Sequence, residues 1–600
     1  MSNVLKLKPG EWDLSHLIKN PKSEEIDKEL NRISSLIDAF EESKPLLTSG
    51  ISVNDFVKLI KDSEKISEHL SKITSYAYLK YAEDTSSNSV AGLVTKMNNF
   101  STEAANRLLF FDLWFKKVLD HNNANRLIEG VPSVYKDYLI HERSMSKYTL
   151  NESEEKIINI LDVTGMNALI KIYDRMSNGF EFDYVEKRGK KKIRKRFTNK
   201  EKLLSLVRSS KSSERIASYK ALLLVYKRNS GVLGEIYLNR ILNWHNEFVE
   251  LRKFPTPISV RNLSNNISDD SVTALLNVCR SNSKIFQQYF IEKAKMLNIK
   301  KLERYHLYAP LKSQKRAKIE YGKALKMVLE AFEGFHPEFR KIVQSLIREK
   351  HIHSKLQDNK QSGAFCSTVI PSINPYVLLN FDGTLRDIST MAHEFGHAIH
   401  SVLACDKPIS VQHPPLPLAE TASVFGEMIL NDKLLQNVNK KEKRILLAEQ
   451  IDDFYATIMR QAYFTMFEID AHDMVGKDSS TTVDQLCTLY MNNLNEQFGR
   501  SMKVTNDFRY EWLYIPHFYH SPFYCYAYSF GNLLVLSLYQ QFKKESKNFI
   551  PKYINILSSG GSRKPEDLLK ENEIDITKES FWQKGFDFVS EQIQNLKNLE

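Results

Sequence analysis

The chain has 600 residues, of which 21 are glycine and 18 are proline, too few for a collagen-like, turn-dense all-β or disordered low-complexity protein. Hydrophobic residues make up 42% of the chain, but apolar runs such as Leu533–Leu536 are far too short to span a membrane. The net charge is +11 (84 basic minus 73 acidic residues), and eight of the basic residues lie within Lys187–Arg196, so the remainder carries only +3. The composition therefore favours a helix-rich globular protein whose charge is concentrated in one segment.

The beginning of the chain and its cysteines indicate the compartment. The first twenty residues contain Glu11 and Asp13 and lack the apolar stretch of a secretory signal peptide. The five cysteines are scattered and form no Cys-x-x-Cys pair, which favours reduced thiols over disulfides or a cysteine zinc site. A cytoplasmic protein is therefore expected.

Amphipathic helices are predicted along most of the chain, because apolar residues recur three or four positions apart. No linker and no repeat of 20 to 50 residues is evident, which argues against a solenoid. The clearest helices, in chain order, are Ile33–Phe40, Phe56–Ala77, Ile216–Tyr226, Leu325–Phe335 and Lys443–Phe467.

The basic segment Lys187–Arg196 is predicted to form a charged β-hairpin. Aromatic and β-branched residues flank it within 182–185 and at Phe197, and Arg188-Gly189 suits the turn. Exposure of this hairpin to solvent is the favoured interpretation. A contact with nucleic acid, lipid or an acidic protein is the alternative.

The candidate functional residues all follow the hairpin. Residues 1–200 are therefore assigned to an N-terminal helical region that includes the hairpin, and residues 201–600 to a catalytic domain. Within the latter, Gly363–Phe381 contains the stretches AFCSTVI and YVLLNF around a proline-containing connection. Two short strands are predicted there.

The most specific pattern is the His-Glu-x-x-His sequence that runs from His393 to His397. A helix is predicted here because Thr384 is able to cap it with Asp387 three residues later, and apolar residues follow at helical spacing. On this helix His393 and His397 lie one turn apart on one face and are able to share a zinc ion, with Glu394 beside them as general base for a metal-activated water. A chance match on a partly apolar helix is the alternative.

A catalytic zinc needs a third protein ligand, and the helix predicted for Leu418–Glu427 supplies a candidate. Glu420 and Glu427 are seven residues apart and share a face of that helix. Glu420 is assigned as the third ligand and Glu427 as a carboxylate that orients a histidine ring. A solvated acidic stripe is the alternative. His400, one turn after His397, is assigned a supporting role.

The segment Ile515–Gly531 reads IPHFYHSPFYCYAYSFG. Aromatic residues at this density are typical of core packing. However, a hydrolase that uses a metal must also stabilise an oxyanion, and tyrosine hydroxyls or a histidine N–H group are suitable donors. The functional interpretation of this segment therefore depends on the zinc motif.

Together these landmarks resemble the oligoendopeptidase F branch of the thimet-oligopeptidase-like zinc metallopeptidases, family M3. The likeness covers nearly the whole chain. Besides HEFGHAIHS, AETASVFGE and IPHFY, it includes Glu11-Trp-Asp-Leu, Leu307–Leu311, Gly363-Ala-Phe, Asn380 and Leu557–Ser562. The resemblance implies a mainly α fold: an elongated helical body with a deep substrate channel and a small β-sheet beside the zinc-binding helix. The edge of that sheet pairs with the peptide, and Tyr376–Phe381 is similar to that edge.

The resemblance also implies a metal site. His393, His397 and Glu420 would bind one Zn²⁺ per chain, Glu394 would be the base, and Glu427 would support the site.

A second set of roles is implied in the aromatic segment. His517, Tyr519 and Tyr526 would bind the substrate or its tetrahedral intermediate. In the family a third tyrosine lies between the two, and Phe523 occupies that position here. Tyr524 is the alternative after a small change of register.

The sequence thus predicts a cytoplasmic zinc endopeptidase that hydrolyses internal bonds of short, unstructured peptides. A carboxypeptidase-like trimming activity is the alternative within the enzymes. A nucleic-acid or membrane-surface binding protein that uses the hairpin is the alternative outside them. Peptides are the expected partners, and neither nucleic acid nor membrane is expected. Cleavage preference and oligomeric state stay open.

Overall fold

The computed structural model describes residues 4–19, 23–311, 318–436 and 438–599. The fold is mainly helical, as expected from the sequence. In chain order the α-helices are α1 (Ser23–Glu41), α2 (Val53–Glu83), α3 (Asn88–Leu113), α4 (His121–Gly130), α5 (Ser133–Ser144), α6 (Glu152–Thr164), α7 (Met166–Asn178), α8 (Lys200–Ser205), α9 (Ser212–Arg228), α10 (Ser230–Trp244), α11 (Ser259–Ser264), α12 (Asp269–Ser281), α13 (Ser283–Met296), α14 (Tyr321–Phe335), α15 (Pro337–Arg348), α16 (Leu385–Leu403), α17 (Ile409–Gln412), α18 (Leu416–Ala419), α19 (Thr421–Gln436), α20 (Lys440–Phe454), α21 (Arg460–Lys477), α22 (Val483–Phe498), α23 (Pro516–His520), α24 (Tyr526–Glu545), α25 (Phe549–Ser558), α26 (Pro565–Glu571) and α27 (Glu579–Lys597).

The sheets are small. The strands are β1 (Phe182–Arg188), β2 (Lys191–Phe197), β3 (Leu302–Glu303), β4 (Ile352–His353), β5 (Phe365–Ser367), β6 (Tyr376–Leu378) and β7 (Met502–Lys503). β1 pairs antiparallel with β2, and β3 pairs parallel with β7. The other three strands form one sheet in the order β4-β6-β5, in which β6 is parallel to β4 and antiparallel to β5.

The sequence-predicted helices are present. Four of them lie within α1, α2, α9 and α14, and the fifth, Lys443–Phe467, runs through α20, a π-helical turn and α21. The two strands predicted within Gly363–Phe381 are β5 and β6. Among the described helices, none combines the length and the apolar character needed to cross a bilayer.

The residues group into two compact units, each assembled from separate parts of the chain. The first unit comprises Met1–Thr149, Arg316–Asn437 and Gln541–Ile574, and the second comprises Leu150–Lys315, Val438–Gln540 and Asp575–Glu600. The predicted division of the chain at residue 200 falls inside the second unit and stays a prediction about how function is distributed along the sequence.

The first unit has an apolar core in which α1, α2 and α3 pack together. Ile33 and Phe40 of α1 are buried with Phe56 of α2, and the Phe56 ring lies 6.1 Å from the ring of Trp114. The apolar positions of α1 recur every three or four residues, so one face of the helix is buried.

A second apolar cluster of the first unit surrounds the three-stranded sheet. Trp12, Leu14 and Leu17 are buried with Tyr376 and Leu378 of β6. The extended segment around Trp12 is thus held against the sheet by hydrophobic burial.

The second unit has an aromatic core around Trp512. Its ring lies 5.3 Å from Tyr237 of α10 and 6.0 Å from Phe467 of α21. Arg304 and Glu511 form an ion pair inside this core. A buried pair of this kind satisfies both charges, whereas removal of one partner leaves the other unpaired.

The predicted basic hairpin is confirmed as β1 and β2. Its turn follows Arg188, and Gly189 adopts φ +59°, a conformation that suits glycine. Arg188, the last residue of β1, pairs with Glu186 and Glu214, while the basic side chains of β2 are exposed.

Candidate active site

Helix α16 carries the His-Glu-x-x-His sequence and begins where the sequence predicts. The Thr384 hydroxyl accepts a hydrogen bond from the Asp387 N–H, and the Asp387 carboxylate accepts one from the Thr384 N–H. This reciprocal cap satisfies two backbone donors that the first turn of a helix leaves without partners. The helix then ends at Leu403.

Two glycines allow α16 to approach α19 closely. A Cβ atom at Gly396 would lie 2.5 Å from the Ala422 carbonyl oxygen, and one at Gly426 would lie 3.0 Å from the Ala392 carbonyl oxygen. Only glycine fits where backbones pass this closely. The close contact brings the two histidines of α16 next to the carboxylates at the start of α19.

The predicted third ligand differs in its local structure from the expectation. Glu420 does not lie inside one helix with Glu427, because α18 ends at Ala419 and α19 begins at Thr421. Glu420 stands at the break between them with φ −85° and ψ 0°. The break turns its carboxylate toward α16.

The three predicted ligands converge. Glu420 Oε2 lies 3.4 Å from His393 Nε2 and 3.5 Å from His397 Nε2. Ligand atoms bound to a tetrahedral zinc at about 2.0 to 2.1 Å are about 3.3 Å apart. All three side chains are partly exposed, and they form one of the two groups of potential metal ligands in the described part of the chain. The donor set and its spacing therefore fit a zinc ion.

Glu427 orients the first histidine. His393 Nδ1 donates a hydrogen bond to Glu427 Oε1 at 2.7 Å, and the Ser389 hydroxyl donates to Glu427 Oε2 at 3.0 Å. Since Nδ1 carries the proton, the lone pair of His393 Nε2 is directed at the metal position. Burial disfavours the charged ring, yet Glu427 and the other carboxylates prevail and raise the pKa of His393 to about 9, so without metal Nε2 is also protonated at pH 7 and a bound metal would displace that proton.

Glu394 is suited to proton transfer. Its side chain is nearly buried, and burial raises the pKa of Glu394 to about 7, with further contributions from the Glu420 and Glu427 carboxylates. A carboxylate with a pKa near neutrality binds and releases a proton readily at physiological pH.

The sheet contacts α16, but the predicted peptide-binding edge is corrected. Tyr376–Phe381 was expected to supply that edge, whereas β6 is the central strand of the sheet and pairs on both sides. The N–H groups of Val377 and Leu379 donate to the carbonyls of His351 and His353. The backbone N–H and C=O groups of the alternate residues, Tyr376 and Leu378, therefore point toward β5. β5 is the edge that contacts α16, and within the described ranges no strand pairs with its far side.

The pairing also determines which atoms β5 exposes. Phe365 and Ser367 are opposite the β6 residues that face β5, so the N–H and C=O groups of Cys366 point to the unpaired side. The Glu394 carboxylate adds to burial in raising the pKa of the Cys366 thiol, which indicates that the strand runs beside the catalytic helix.

His400 lies outside the group of potential ligands. Its side chain is buried, and burial lowers its pKa to about 3, so the ring is neutral. This position agrees with a supporting role in the helix.

The aromatic segment belongs to the second unit, and there the structure separates its tyrosines. Tyr519 is fully buried, stacks on Tyr173 with ring centres 3.7 Å apart, and donates a hydrogen bond to the Leu233 carbonyl. Tyr526 is also fully buried, and its hydroxyl accepts a hydrogen bond from Asn265 Nδ2 at 2.8 Å. Both hydroxyls are enclosed, which does not favour their predicted role as donors to a substrate oxyanion.

Three partly exposed side chains of this segment, His517, Tyr524 and Tyr528, lie close together. The His517 ring stacks on Tyr524 at 5.8 Å, and its Nε2 lies 3.5 Å from the Tyr528 hydroxyl. Burial lowers the pKa of His517, so its ring is neutral at pH 7. The structure thus favours Tyr524 over Phe523 as the counterpart of the third tyrosine of the family.

Contacts within the second unit fix this register. Arg261 Nε donates to the Pro522 carbonyl at 3.2 Å, and the Phe523 N–H donates to the buried Glu468 carboxylate at 2.9 Å. Phe523 adopts φ +58°, which reverses the chain before α24. The sequence analysis did not select Tyr528. Because Tyr524 precedes α24, helical spacing gives no signal that the two tyrosines lie together.

Comparisons with known proteins identify the family. The model of peptidase family M3 matches residues 205–588, well over half of the chain. The chain belongs to peptidase family M3. This membership confirms the sequence-based assignment to an M3 metallopeptidase similar to oligoendopeptidase F.

Relatives match this M3 peptidase over nearly its whole length. An oligoendopeptidase F homolog of Borreliella burgdorferi is 29% identical, with 98% of both chains covered. A crystal structure from Chlamydophila abortus has a TM-score of 0.86 at 25% identity and covers 98% of each chain. The oligoendopeptidase F structure from Enterococcus faecium has a TM-score of 0.71 at 20% identity and covers 96% of this chain and 99% of that one. The last likeness concerns the fold alone.

Proposed function

We propose that this M3 peptidase is a zinc-dependent endopeptidase that hydrolyses internal bonds of short, unstructured peptides. The observation that carries the proposal is the convergence of His393, His397 and Glu420, whose donor atoms are spaced for a tetrahedral metal. The names of the relatives, which include oligoendopeptidase F, support the same class of substrate.

The residues of α16 and α19 would hold the metal. His393 and His397 each supply Nε2, Glu420 supplies one carboxylate oxygen, and Glu427 keeps the His393 ring in the required orientation. When bound, zinc supplies Lewis acidity, which polarises a scissile carbonyl and lowers the pKa of a water molecule. Three protein ligands leave a coordination position open for this chemistry.

Glu394 is the general base of the proposed reaction. Its carboxylate accepts a proton from the attacking water and then passes it to the nitrogen of the leaving amine. The raised pKa of Glu394 supports both transfers, because a carboxylate with a pKa near 7 both binds and releases a proton readily at neutral pH.

Strand β5 is proposed to hold the substrate. An extended peptide is able to add to the unpaired side of β5 and to bond to the N–H and C=O groups of Cys366. Main-chain bonds select the extended form with little regard to side chains, which suits a peptidase of short, unstructured substrates.

In the second unit, His517, Tyr524 and Tyr528 are the proposed substrate-binding groups. Their side chains are partly exposed and lie close together, whereas Tyr519 and Tyr526 are fully buried. A phenol or a neutral imidazole N–H is able to donate to a developing oxyanion.

The test of the proposed function is a digestion of mixed peptides. Purified protein is incubated with a library of unstructured peptides, with and without a chelator, and the fragments are identified by mass spectrometry. Internal cuts that the chelator abolishes and added Zn²⁺ restores are the expected result. Cuts confined to chain ends would replace the endopeptidase with a trimming enzyme, and cuts that resist the chelator would overturn zinc dependence.

A cytoplasmic location remains part of the proposal. It is supported by the five free cysteines, among which the structure shows no disulfide.

A further inference from the structure

A second group of potential metal ligands lies in the first unit, apart from the residues of the proposed active site. His16, Glu349 and His351 each present a ligand atom, and these atoms lie within 4.8 Å of one another. His16 Nδ1 is 2.8 Å from His351 Nε2. Two imidazole nitrogens and a carboxylate form a donor set that suits zinc and similar transition metals.

The end of α15 brings Glu349 and His351 together. Glu349 follows the last residue of the helix, and Lys350 adopts φ +57°, which reverses the backbone. The His351 N–H then bonds to the Leu346 carbonyl at 2.9 Å. This is the geometry of a left-handed helix cap, so both side chains are held by regular backbone structure.

Asn374 orients both of these side chains. Its carbonyl oxygen lies 2.9 Å from His351 Nδ1, and its Nδ2 donates to Glu349 Oε2 at 2.8 Å. A carbonyl oxygen only accepts, so His351 Nδ1 carries the proton and the lone pair of Nε2 points toward His16. An N–H bond from the other ring nitrogen to a backbone carbonyl is the usual support of a metal-ligating histidine.

The His351 ring is fixed and neutral. It is buried and stacks on Tyr376 of β6 with ring centres 4.0 Å apart. Because its Nδ1–H donates to the Asn374 carbonyl and its Nε2 accepts from His16, the ring is neutral and its Nε2 lone pair faces His16.

His16 is brought to this place by a segment that packs on the sheet. Leu14 and Leu17, on either side of it, are buried, and a turn closed by the Leu17 N–H and the Leu14 carbonyl lies between them. The Asp13 N–H donates to the Lys350 carbonyl at 2.8 Å. The backbone of His16 is therefore held, whereas its side chain is exposed and able to adjust.

We propose that His16, Glu349 and His351 form a second transition-metal site, which fastens the segment Gly10–Leu17 to α15 and the sheet. Without metal, His16 Nδ1–H donates to His351 Nε2. Metal binding moves that proton to His16 Nε2 and opens the distance between the two nitrogens from 2.8 Å to about 3.3 Å. The exposed His16 ring allows a movement of this size, and the Glu349 carboxylate, whose Oε2 lies 4.0 Å from His351 Nδ1, would also rotate toward Nε2.

The site is chemically separate from the proposed active centre, since the two sets of ligands share no residue. A metal held by groups that are brought together only by folding stabilises the folded state. The inference therefore predicts two zinc ions per chain, one of which serves structure.

Zinc stoichiometry tests this inference. Metal-free full-length protein is dialysed against Zn²⁺ and its metal content is measured by elemental analysis. We expect two equivalents in the wild type, one in His393→Ala, one in His16→Gln, and none in the variant with both substitutions. His121→Gln alters an exposed histidine of the same unit that belongs to neither group, and it should retain two.

A thermal measurement separates binding from misfolding. Zinc should raise the melting temperature of His393→Ala by several degrees and should leave that of His393→Ala/His16→Gln unchanged. One equivalent in the wild type, or a second equivalent that persists in the double variant, would overturn the site. If His393→Ala loses one equivalent of zinc while His16→Gln retains the wild-type content, the proposed active centre is supported and the second site is contradicted. The two ideas therefore fail separately.

Discussion

A hydroxyl group takes part in catalysis only where a substrate reaches it, and this condition separates the tyrosines of the segment 516–528. Tyr519 and Tyr526 are enclosed by partners of the second unit, whereas Tyr524 and Tyr528 are partly exposed beside His517. If hydroxyls of this segment act in catalysis, we therefore expect them to be those of Tyr524 and Tyr528.

Substitution of single tyrosines tests this assignment. If Tyr524 or Tyr528 donates to the oxyanion, its change to Phe should lower kcat by about 10² to 10³ while KM changes little. Tyr526→Phe should keep kcat and lower the free energy of unfolding by about 1 kcal/mol, because Asn265 loses a buried partner. Turnover of a fluorogenic peptide and a urea unfolding curve measure the two effects. If Tyr526→Phe loses kcat while Tyr524→Phe and Tyr528→Phe keep the wild-type kcat, the assignment to Tyr524 and Tyr528 is wrong.

The convergence of His393, His397 and Glu420 was accessible to sequence reasoning, and the burial of Tyr519 and Tyr526 was not. His393 and His397 are related by one helical turn, a local rule, and Glu420 follows on the next amphipathic segment. The burial of Tyr519 depends on Tyr173 and Leu233, which lie hundreds of residues away in the chain. No local spacing reports such a contact.

At the scale of elements, β5 is the edge strand proposed to bind the substrate. Cys366 is the residue whose backbone groups point away from the sheet. Proline is tolerated at such a position, because the N–H group it removes has no partner within the sheet.

Cys366→Pro tests whether that N–H group holds the peptide. Loss of one main-chain hydrogen bond, about 1.4 kcal/mol, should raise KM roughly tenfold with little change in zinc content. Cys366→Ala is the matched control, since it removes the thiol and keeps the N–H group, and its KM should equal that of the wild type. An unchanged KM in Cys366→Pro with zinc retained would exclude β5 as the docking edge.

Element boundaries followed from the sequence where a cap or a turn defines them. The Thr384 cap and the Gly189 turn are local signals, and both elements begin as predicted. The strand order was not predictable, because β4 has only two residues and joins β6 through a pairing of distant segments. This is why Tyr376–Phe381 was assigned to an edge and proved central.

At the scale of the whole molecule, the net charge of +11 is dominated by the hairpin β1-β2. Arg188 pairs with Glu186 and Glu214, and Arg196 pairs with Glu181 and Asp183, whereas the side chains of Lys187, Lys192 and Arg194 are exposed to solvent. Exposed charges of this kind contribute little to stability.

Neutralising the hairpin tests whether it serves catalysis. Changing Lys187, Lys192 and Arg194 to Gln should leave peptide turnover within about twofold and the melting temperature nearly unchanged. Retention on RNA or on anionic vesicles is compared at low and high salt for both proteins. A salt-sensitive interaction of the wild type that vanishes in the variant would reveal an anionic partner instead of a solvated hairpin.

The large-scale organisation was the least accessible to sequence reasoning. Fold class followed from composition and helical periodicity, and the resemblance to family M3 followed from motifs spread over the chain. The two units are each built from three separate stretches, so no boundary along the sequence corresponds to them. In the first unit, for example, Trp12, Leu14 and Leu17 pack on Tyr376 and Leu378, more than 350 residues further along the chain.

The central claim is that His393, His397 and Glu420 hold a zinc ion beside Glu394 as the base, and metal content measured together with turnover tests it most directly. Relative to the wild type, Glu394→Gln should retain all bound zinc and lose about 10² to 10⁴ in kcat, because only proton transfer is removed. His393→Ala should lose one equivalent of zinc together with hydrolysis. Undiminished zinc in His393→Ala, or full turnover by Glu394→Gln, would contradict the account.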